Sequence, residues 1–302
     1  MTLGQLFVGT LAALVAGTLA GQILRRTARS EPARRTVANM NERIAAWWVL
    51  CAVTTLALVL GTGAVCVLFA LFSLLAQEEF LVHPRPAYAV LFAFTAAQYV
   101  SILTRWHGVF SLLIPAGAFP ALAVWNVLAG KTEAYWHRTA EQYCSLMIAT
   151  YCLSFAPAIL RLDIPGYAGR NRTLLYYLLL VVQGSDILQY VWGKLLGRRP
   201  LAPRISPNKT WEGFLGGVLT ATALGAALYR ATPFHPWQAA AICATVTLAG
   251  FAGGLVMSAI KRQRGVKDFG TLVVGHGGVL DRIDSLCFAA PVFFLVVRYF
   301  FT

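Results

Sequence analysis

Charge is what this chain has least of: only 12% of its 302 residues are Asp, Glu, Lys or Arg, against about 25% in a soluble domain. Acidic residues are the scarcer kind, 12 Asp+Glu to 25 Lys+Arg, for a formal net charge of +13. No hydrophilic stretch is long enough for a soluble domain, and there is no low-complexity tract. The six cysteines (Cys51, Cys66, Cys144, Cys152, Cys243, Cys287) sit in apolar stretches without CxxC or Cys/His spacing. That reads them as buried packing residues, not metal ligands or disulfides. These absences exclude a cytosolic globule, a disordered tail and a fibrous protein. A nucleic-acid partner is excluded as well, because no hydrophilic face remains to form a basic groove. The positive excess points instead to an anionic lipid surface or a polyphosphate substrate.

What is abundant is apolar sequence, 58% of the chain, with a mean hydropathy of +0.65. A membrane-crossing helix needs about 20 mostly apolar residues. The blocks 3–24, 44–60, 63–80, 88–104, 107–129, 143–160, 173–196, 212–230, 237–260 and 284–301 meet that pattern. The expected fold is an all-α polytopic integral membrane protein with about ten transmembrane helices. It divides into N-terminal helices, 1–172, and a C-terminal catalytic region, 173–302. All but six of the 25 Lys and Arg (Arg105, Arg161, Arg170, Arg172, Arg230, Arg298) fall in the loops after odd-numbered spans or, for Lys194, at the end of span seven. The positive-inside rule places those loops in the cytoplasm and both termini outside. The first block lacks a basic leader and reads as a retained span; the setting expected is a prokaryotic inner membrane. The arginine-rich segment from Arg25 to Trp48 suits anchoring at anionic headgroups. Glycines four apart at Gly17/Gly21, Gly213/Gly217 and Gly250/Gly254 suit close helix packing, within the chain by default and in a homodimer as the further option.

Polar residues inside spans are costly and mark function by default. The first six spans hold almost no ionisable ones, whereas span seven carries Gln183, Ser185, Asp186, Gln189 and Lys194. It runs into the loop Gly197–Glu212, where basic residues alternate with prolines and Ser206, Lys209 and Thr210 supply donors for a phosphate chain. The GxxxxGK[ST] spacing of a Walker loop is absent from it. A second loop places Ser258, Lys261 and Arg262 on one helical face and continues through Lys267, Asp268, His276, Gly277 and Gly278. Asp281, Arg282 and Asp284 follow where span ten begins. Asp281 and Asp284, three apart, are neighbours able to share a hard cation, and Mg2+ takes one or two carboxylates plus waters and phosphates. Plain salt bridging is the competing reading, and His276 reads as a hydrogen-bonding residue before a general base.

These residues resemble the signature of the phosphatidate cytidylyltransferase (CDP-diglyceride synthase) family, S-x-x-K-R-x(4)-K-D-x-G…H-G-G-x-x-D-R-x-D, from Ser258 to Asp284. Ser206–Gly213 resembles the family's S-P-x-K-T-x-E-G element, which includes Glu212. Span seven is similar to a divergent bacterial branch. Two departures stand out: the Asp of the family's G-D-L-x-x-S run is Gly254 here, and Asp186 is followed by Ile187, Leu188 and Gln189 where many members have small residues. The resemblance implies transfer of CMP from CTP to phosphatidate, with pyrophosphate released and Mg2+ as cofactor. It implies Asp281, Asp268 and Asp284 as metal ligands, and Asp281, Asp268, Lys267 and Arg282 as catalytic. Substrate binding would fall to Ser185, Asp186, Lys194, Ser206, Lys209, Thr210, Glu212, Ser258, Lys261, Arg262, His276, Gly277 and Gly278. The partners implied are CTP, phosphatidate or another anionic lipid, and the membrane. A non-catalytic homologue that binds lipid or nucleotide, and a CTP-dependent enzyme for another lipid phosphate, remain as alternatives. A lipid kinase and a lipid transporter are further ones.

Overall fold

The computed structural model describes residues 1–27, 30–81, 88–130, 133–270 and 277–302. The described residues form ten helices: α1 Leu3–Thr27, α2 Glu31–Leu60, α3 Thr62–Phe80, α4 Tyr88–Leu103, α5 His107–Leu128, α6 Tyr135–Arg161, α7 Asn171–Leu196, α8 Trp211–Ala227, α9 Pro236–Gln263 and α10 Leu280–Phe301. A small hairpin, β1 Pro200–Ala202 and β2 Ser206–Thr210, lies between α7 and α8. The all-α polytopic architecture is the expected one. Eight helices contain a stretch long and apolar enough to cross a membrane. The two others, α4 with 16 residues and α8 with 17, fall on anticipated spans but are shorter.

Two local differences have clear causes. The apolar run from Ile44 to Phe80 breaks between the anticipated blocks 44–60 and 63–80, with Gly61 at φ 115, a conformation that only glycine adopts without strain. By contrast α2 begins at Glu31, so most of the basic segment is helical rather than a loop. Pro32 falls in the first turn, where its missing N–H costs nothing. α5 and α6 each pass through a π-helical stretch, Leu113–Ala118 and Leu146–Cys152. Of the six cysteines, Cys66, Cys243 and Cys287 are buried as expected, Cys51 and Cys152 are half-buried and Cys144 is exposed; all six are free thiols.

The N-terminal helices bury uncharged polar groups that a search for ionisable residues passes over. Ser73 and Tyr99 share a hydrogen bond of 2.8 Å, Gln77 Nε2 donates to Thr95 Oγ1 at 2.8 Å, and Gln98 Nε2 donates to the Phe110 carbonyl and to Ser154 at 3.1 Å each. In an apolar interior such pairing offsets the cost of desolvation.

In the C-terminal half, glycines let helix pairs approach. A Cβ on Gly213 would lie 2.9 Å from the Gln189 carbonyl oxygen, and one on Gly253 2.7 Å from the Phe288 ring. α7 thus packs on α8 and α9 on α10. The helix ends alternate between two faces of the bundle. On one face Arg170 Nη2 donates to the Met1 and Arg230 carbonyls at 3.0 and 3.2 Å. On the other, the end of α3 and the start of α6 meet the α9–α10 connection, where Arg264 pairs with Glu141 at 2.8 Å and Phe80 stacks on Phe269.

Candidate active site

The second strand of the hairpin, Ser206–Thr210, is built by the Ser206–Gly213 element. Thr210 caps α8, its Oγ1 accepting from Gly213 N at 3.1 Å. Glu212 Oε2 accepts from the amides of Arg198 and Arg199 at 3.0 and 3.2 Å. Arg262 ties the hairpin to the end of α9, donating from Nε to the Ile205 carbonyl at 3.1 Å and from Nη1 to that of Val266 at 3.2 Å. Thr210, Glu212 and Arg262 therefore hold the backbone that carries Lys209. Thr210→Ala removes one cap and is expected to cost about 1 kcal/mol, measurable by thermal unfolding in detergent.

Lys209 reaches inward from β2. Its ammonium lies 4.7 Å from the centre of the Phe251 ring and 2.9 Å from where a Cβ on Gly254 would stand. Burial pulls its pKa below the ordinary 10.5, while the carboxylates of Asp284 and Asp186 oppose that shift. Asp186 of α7 faces Asp284, Ser285 and Lys209. Asp284 Oδ1 accepts from Ser285 N at 2.7 Å, and Oδ2 turns toward Gly254, 3.9 Å from its Cβ position. Two carboxylates and an ammonium thus share one space beside a glycine, with no ion pair among them at 4.0 Å or less.

Asp281 is engaged on both oxygens. Oδ1 pairs with Lys261 Nζ at 2.9 Å, the two side chains being only 6% and 12% exposed. Oδ2 accepts from the amides of Phe269 and Gly278 at 2.9 Å each. Gly277, at φ 82, leaves no room for a Cβ beside that carboxylate: one would fall 2.6 Å from Oδ2.

Glu79, at the end of α3, was not anticipated. Its Oε1 accepts from Val279 N and its Oε2 from Leu280 N, both at 2.8 Å. A Cβ on Gly270 would stand 2.7 Å from Glu79 Oε1, and one on Gly278 would also run into this carboxylate. The signature glycines thus make room for two carboxylates of the chain itself. The only trace of Glu79 in the sequence is Gln77-Glu78-Glu79 closing an apolar span, a pattern that also suits a plain helix end.

Of the remaining anticipated residues, Ser185 is buried and donates to the Val182 carbonyl at 2.7 Å, and Ser258 donates to that of Gly254 at 2.6 Å. Arg282 lies in the first turn of α10, its carbonyl accepting from Gln183 at 3.1 Å. Ser206 begins β2. Lys194 is exposed, 5.9 Å from the Tyr190 ring centre, and Lys267 and Asp268 are exposed on the α9–α10 connection. His276 lies outside the described residues. The structure therefore brings together Asp186, Lys209, Lys261, Asp281 and Asp284 from four separate elements. Among the described residues no three His, Cys, Asp or Glu side chains group as a metal site.

Residues 41–300 match the family described as the Cytidylyltransferase family. The chain belongs to that family. Members are nucleotidyltransferases, and this cytidylyltransferase-family chain is a membrane protein by its helices. It is 36% identical over 299 residues to the uncharacterized protein YnbB of Escherichia coli (strain K12), covering 96% of this chain and 98% of that protein. It is 44% identical over 126 residues to a phosphatidate cytidylyltransferase of Aquifex aeolicus, covering 40% and 47% of the two chains. With one from Haemophilus influenzae it shares 34% over 197 residues, covering 60% and 66%. The chain thus spans about half to two thirds of these phosphatidate cytidylyltransferases, and nearly all of YnbB.

Proposed function

We propose that the chain transfers CMP from CTP to phosphatidate, giving CDP-diacylglycerol and pyrophosphate at the cytoplasmic face of a bacterial inner membrane. The observation that carries the reading is the convergence of both signature segments on one charged cluster at the end of the bundle. The names of the partial relatives support the lipid substrate. A phosphate monoester has a second pKa of about 6 and is largely dianionic at neutral pH, so the attacking oxygen needs no strong base. It bonds to the α-phosphorus of CTP while the α–β P–O bond breaks and pyrophosphate leaves. The obstacle is repulsion between two anions, which fixed cations in a dry site relieve. Lys209, whose ammonium makes no hydrogen bond among the described residues, contacts a phosphate, and Lys261, paired with Asp281, adds charge nearby. The acyl chains stay in the bilayer.

Magnesium fits this donor set in part. Asp284, with Asp186 facing it, offers two carboxylates, and Mg2+ completes its shell with waters and substrate phosphates. Asp281 would join by releasing Lys261, and Asp268 stands exposed on the α9–α10 connection. When bound, the ion would neutralise phosphate charge.

The second reading, a non-catalytic binding homologue, rests on Gly254. A substituted side chain there meets the flexible end of Lys209, which can swing aside. In a working enzyme Gly254→Asp is expected to capture Lys209 in an ion pair and slow turnover about tenfold or more. Purified protein, CTP, phosphatidate and Mg2+ test both readings together. Product from the natural chain and less from Gly254→Asp supports the transferase. Product from Gly254→Asp alone overturns it in favour of the binding homologue. Comparing phosphatidate with other lipid phosphates then fixes the acceptor.

A further inference from the structure

We infer that Glu79 is a positioning residue, which latches the N-terminal helices onto the turn that carries Asp281 and Asp284. The claim for turnover rests on the transferase reading; the latch itself does not.

The first amides of a helix have no partner within it and carry partial positive charge, so a carboxylate held against them is stabilising. That carboxylate usually comes from a residue just before the helix. In α10 it comes from α3, about two hundred residues away in sequence, and it takes Val279 N and Leu280 N together, one on each oxygen. The next amide back, Gly278 N, is taken by Asp281. Three successive donors at the start of α10 are thus held by carboxylates of the chain, so this turn offers none of them to a phosphate. Anion binding in the site falls to side-chain cations instead.

The contact is closely fitted. Gly270 and Gly278 both face Glu79 where a Cβ would strike it. Gly278 is not in the left-handed region, so alanine there is excluded by Glu79 and not by backbone strain. Around this contact the N-terminal helices α3 and α6 meet the α9–α10 connection three more times. Phe80 stacks on Phe269 with ring centres 6.0 Å apart, Arg264 donates to the Phe80 carbonyl, and Arg264 pairs with Glu141 of α6 at 2.8 Å. α10 begins one residue after Val279, so the direction of its first turns, and with it Asp281 and Asp284, is set by where Glu79 stands. The reaction centre is then not self-contained in the C-terminal half.

The test compares Glu79→Gln, Glu79→Asp, Glu79→Ala, Gly278→Ala and the double variant Glu79→Ala/Gly278→Ala in the full-length protein. Glu79→Gln keeps the shape but offers one acceptor and no charge. Hydrogen exchange of the segment 277–283 should quicken about tenfold or more in Glu79→Gln, with α7 and α8 unchanged. Gly278→Ala should lower the unfolding temperature in the natural background and cost much less when Glu79 is alanine, the coupling expected of two groups in contact. In CTP turnover, Glu79→Gln should lower kcat per folded molecule with little change in KM, and Glu79→Asp should recover part of it. Unchanged exchange, or additive Glu79 and Gly278 effects, overturns the latch. A quickened exchange with full kcat overturns the positioning role. If the natural chain makes no CDP-lipid, the transferase reading fails, while exchange and coupling still decide the latch.

Discussion

Asp281→Asn is expected to lose turnover by about a hundredfold or more and to destabilise the protein by about 3–5 kcal/mol, the usual consequence of removing one partner from a buried ion pair. Lys261 Nζ lies 2.9 Å from Asp281 Oδ1, and both side chains are nearly out of solvent. An asparagine would leave that ammonium without its counter-charge and would set its amide nitrogen either against Lys261 Nζ or against both Phe269 N and Gly278 N, which donate to one carboxylate oxygen. Two effects are mixed in this single change, and a second variant separates them. Lys261→Met with Asp281→Asn removes the stranded charge and should recover much of the lost stability, read as unfolding temperature in detergent. Turnover should not return, because the cation and the carboxylate are both missing. Recovery of turnover with stability would show that the pair serves folding alone.

Lys209→Met is expected to lower turnover by about a hundredfold or more while keeping most of the side chain's apolar packing against Phe251. It withdraws the ammonium that faces Asp284 and Asp186. The pH profile supplies a second signature. Burial lowers the Lys209 pKa from 10.5, with the two carboxylates opposing the shift. The charged form is the one that meets phosphate, so turnover should fall as pH rises through a value below the ordinary lysine range. Lys209→Arg, which stays protonated at any workable pH, should retain some activity and move that alkaline limb upward. A limb that stays in place in Lys209→Arg would assign it to another group.

The all-α membrane architecture was legible in the sequence because hydrocarbon thickness imposes a length on apolar blocks. The break at Gly61 was legible for a similar reason: glycines interrupting an apolar run too long for one span. The start of α2 was less so, since charge pattern does not distinguish a helical basic segment from a loop. The hairpin was missed because its two strands are short and its prolines suggest only stiffness. At the site, charge and spacing picked out Asp186, Lys209, Lys261, Asp281 and Asp284, which the fold brings together. The same reading grouped Lys194 with them, which the structure leaves exposed, because a motif read along the chain does not show which side chains turn inward. Thr210, Glu212 and Arg262 were grouped with the substrate-binding residues, and the structure shows them holding the shape of the hairpin. Glu79 was beyond reach because its partners are backbone amides two hundred residues on, and backbone groups leave no mark in a sequence.

The central claim, cytidylyl transfer to a lipid phosphate, is tested most directly by the position of an isotope. Purified protein is given phosphatidate, Mg2+ and CTP labelled either at the α- or at the γ-phosphorus, and the lipid phase is counted. The α-label is expected in a lipid that migrates as CDP-diacylglycerol and the γ-label only in water-soluble pyrophosphate. Passage of γ-label into lipid would mean a kinase, and no label in lipid from either CTP would mean no transfer; each result contradicts the account.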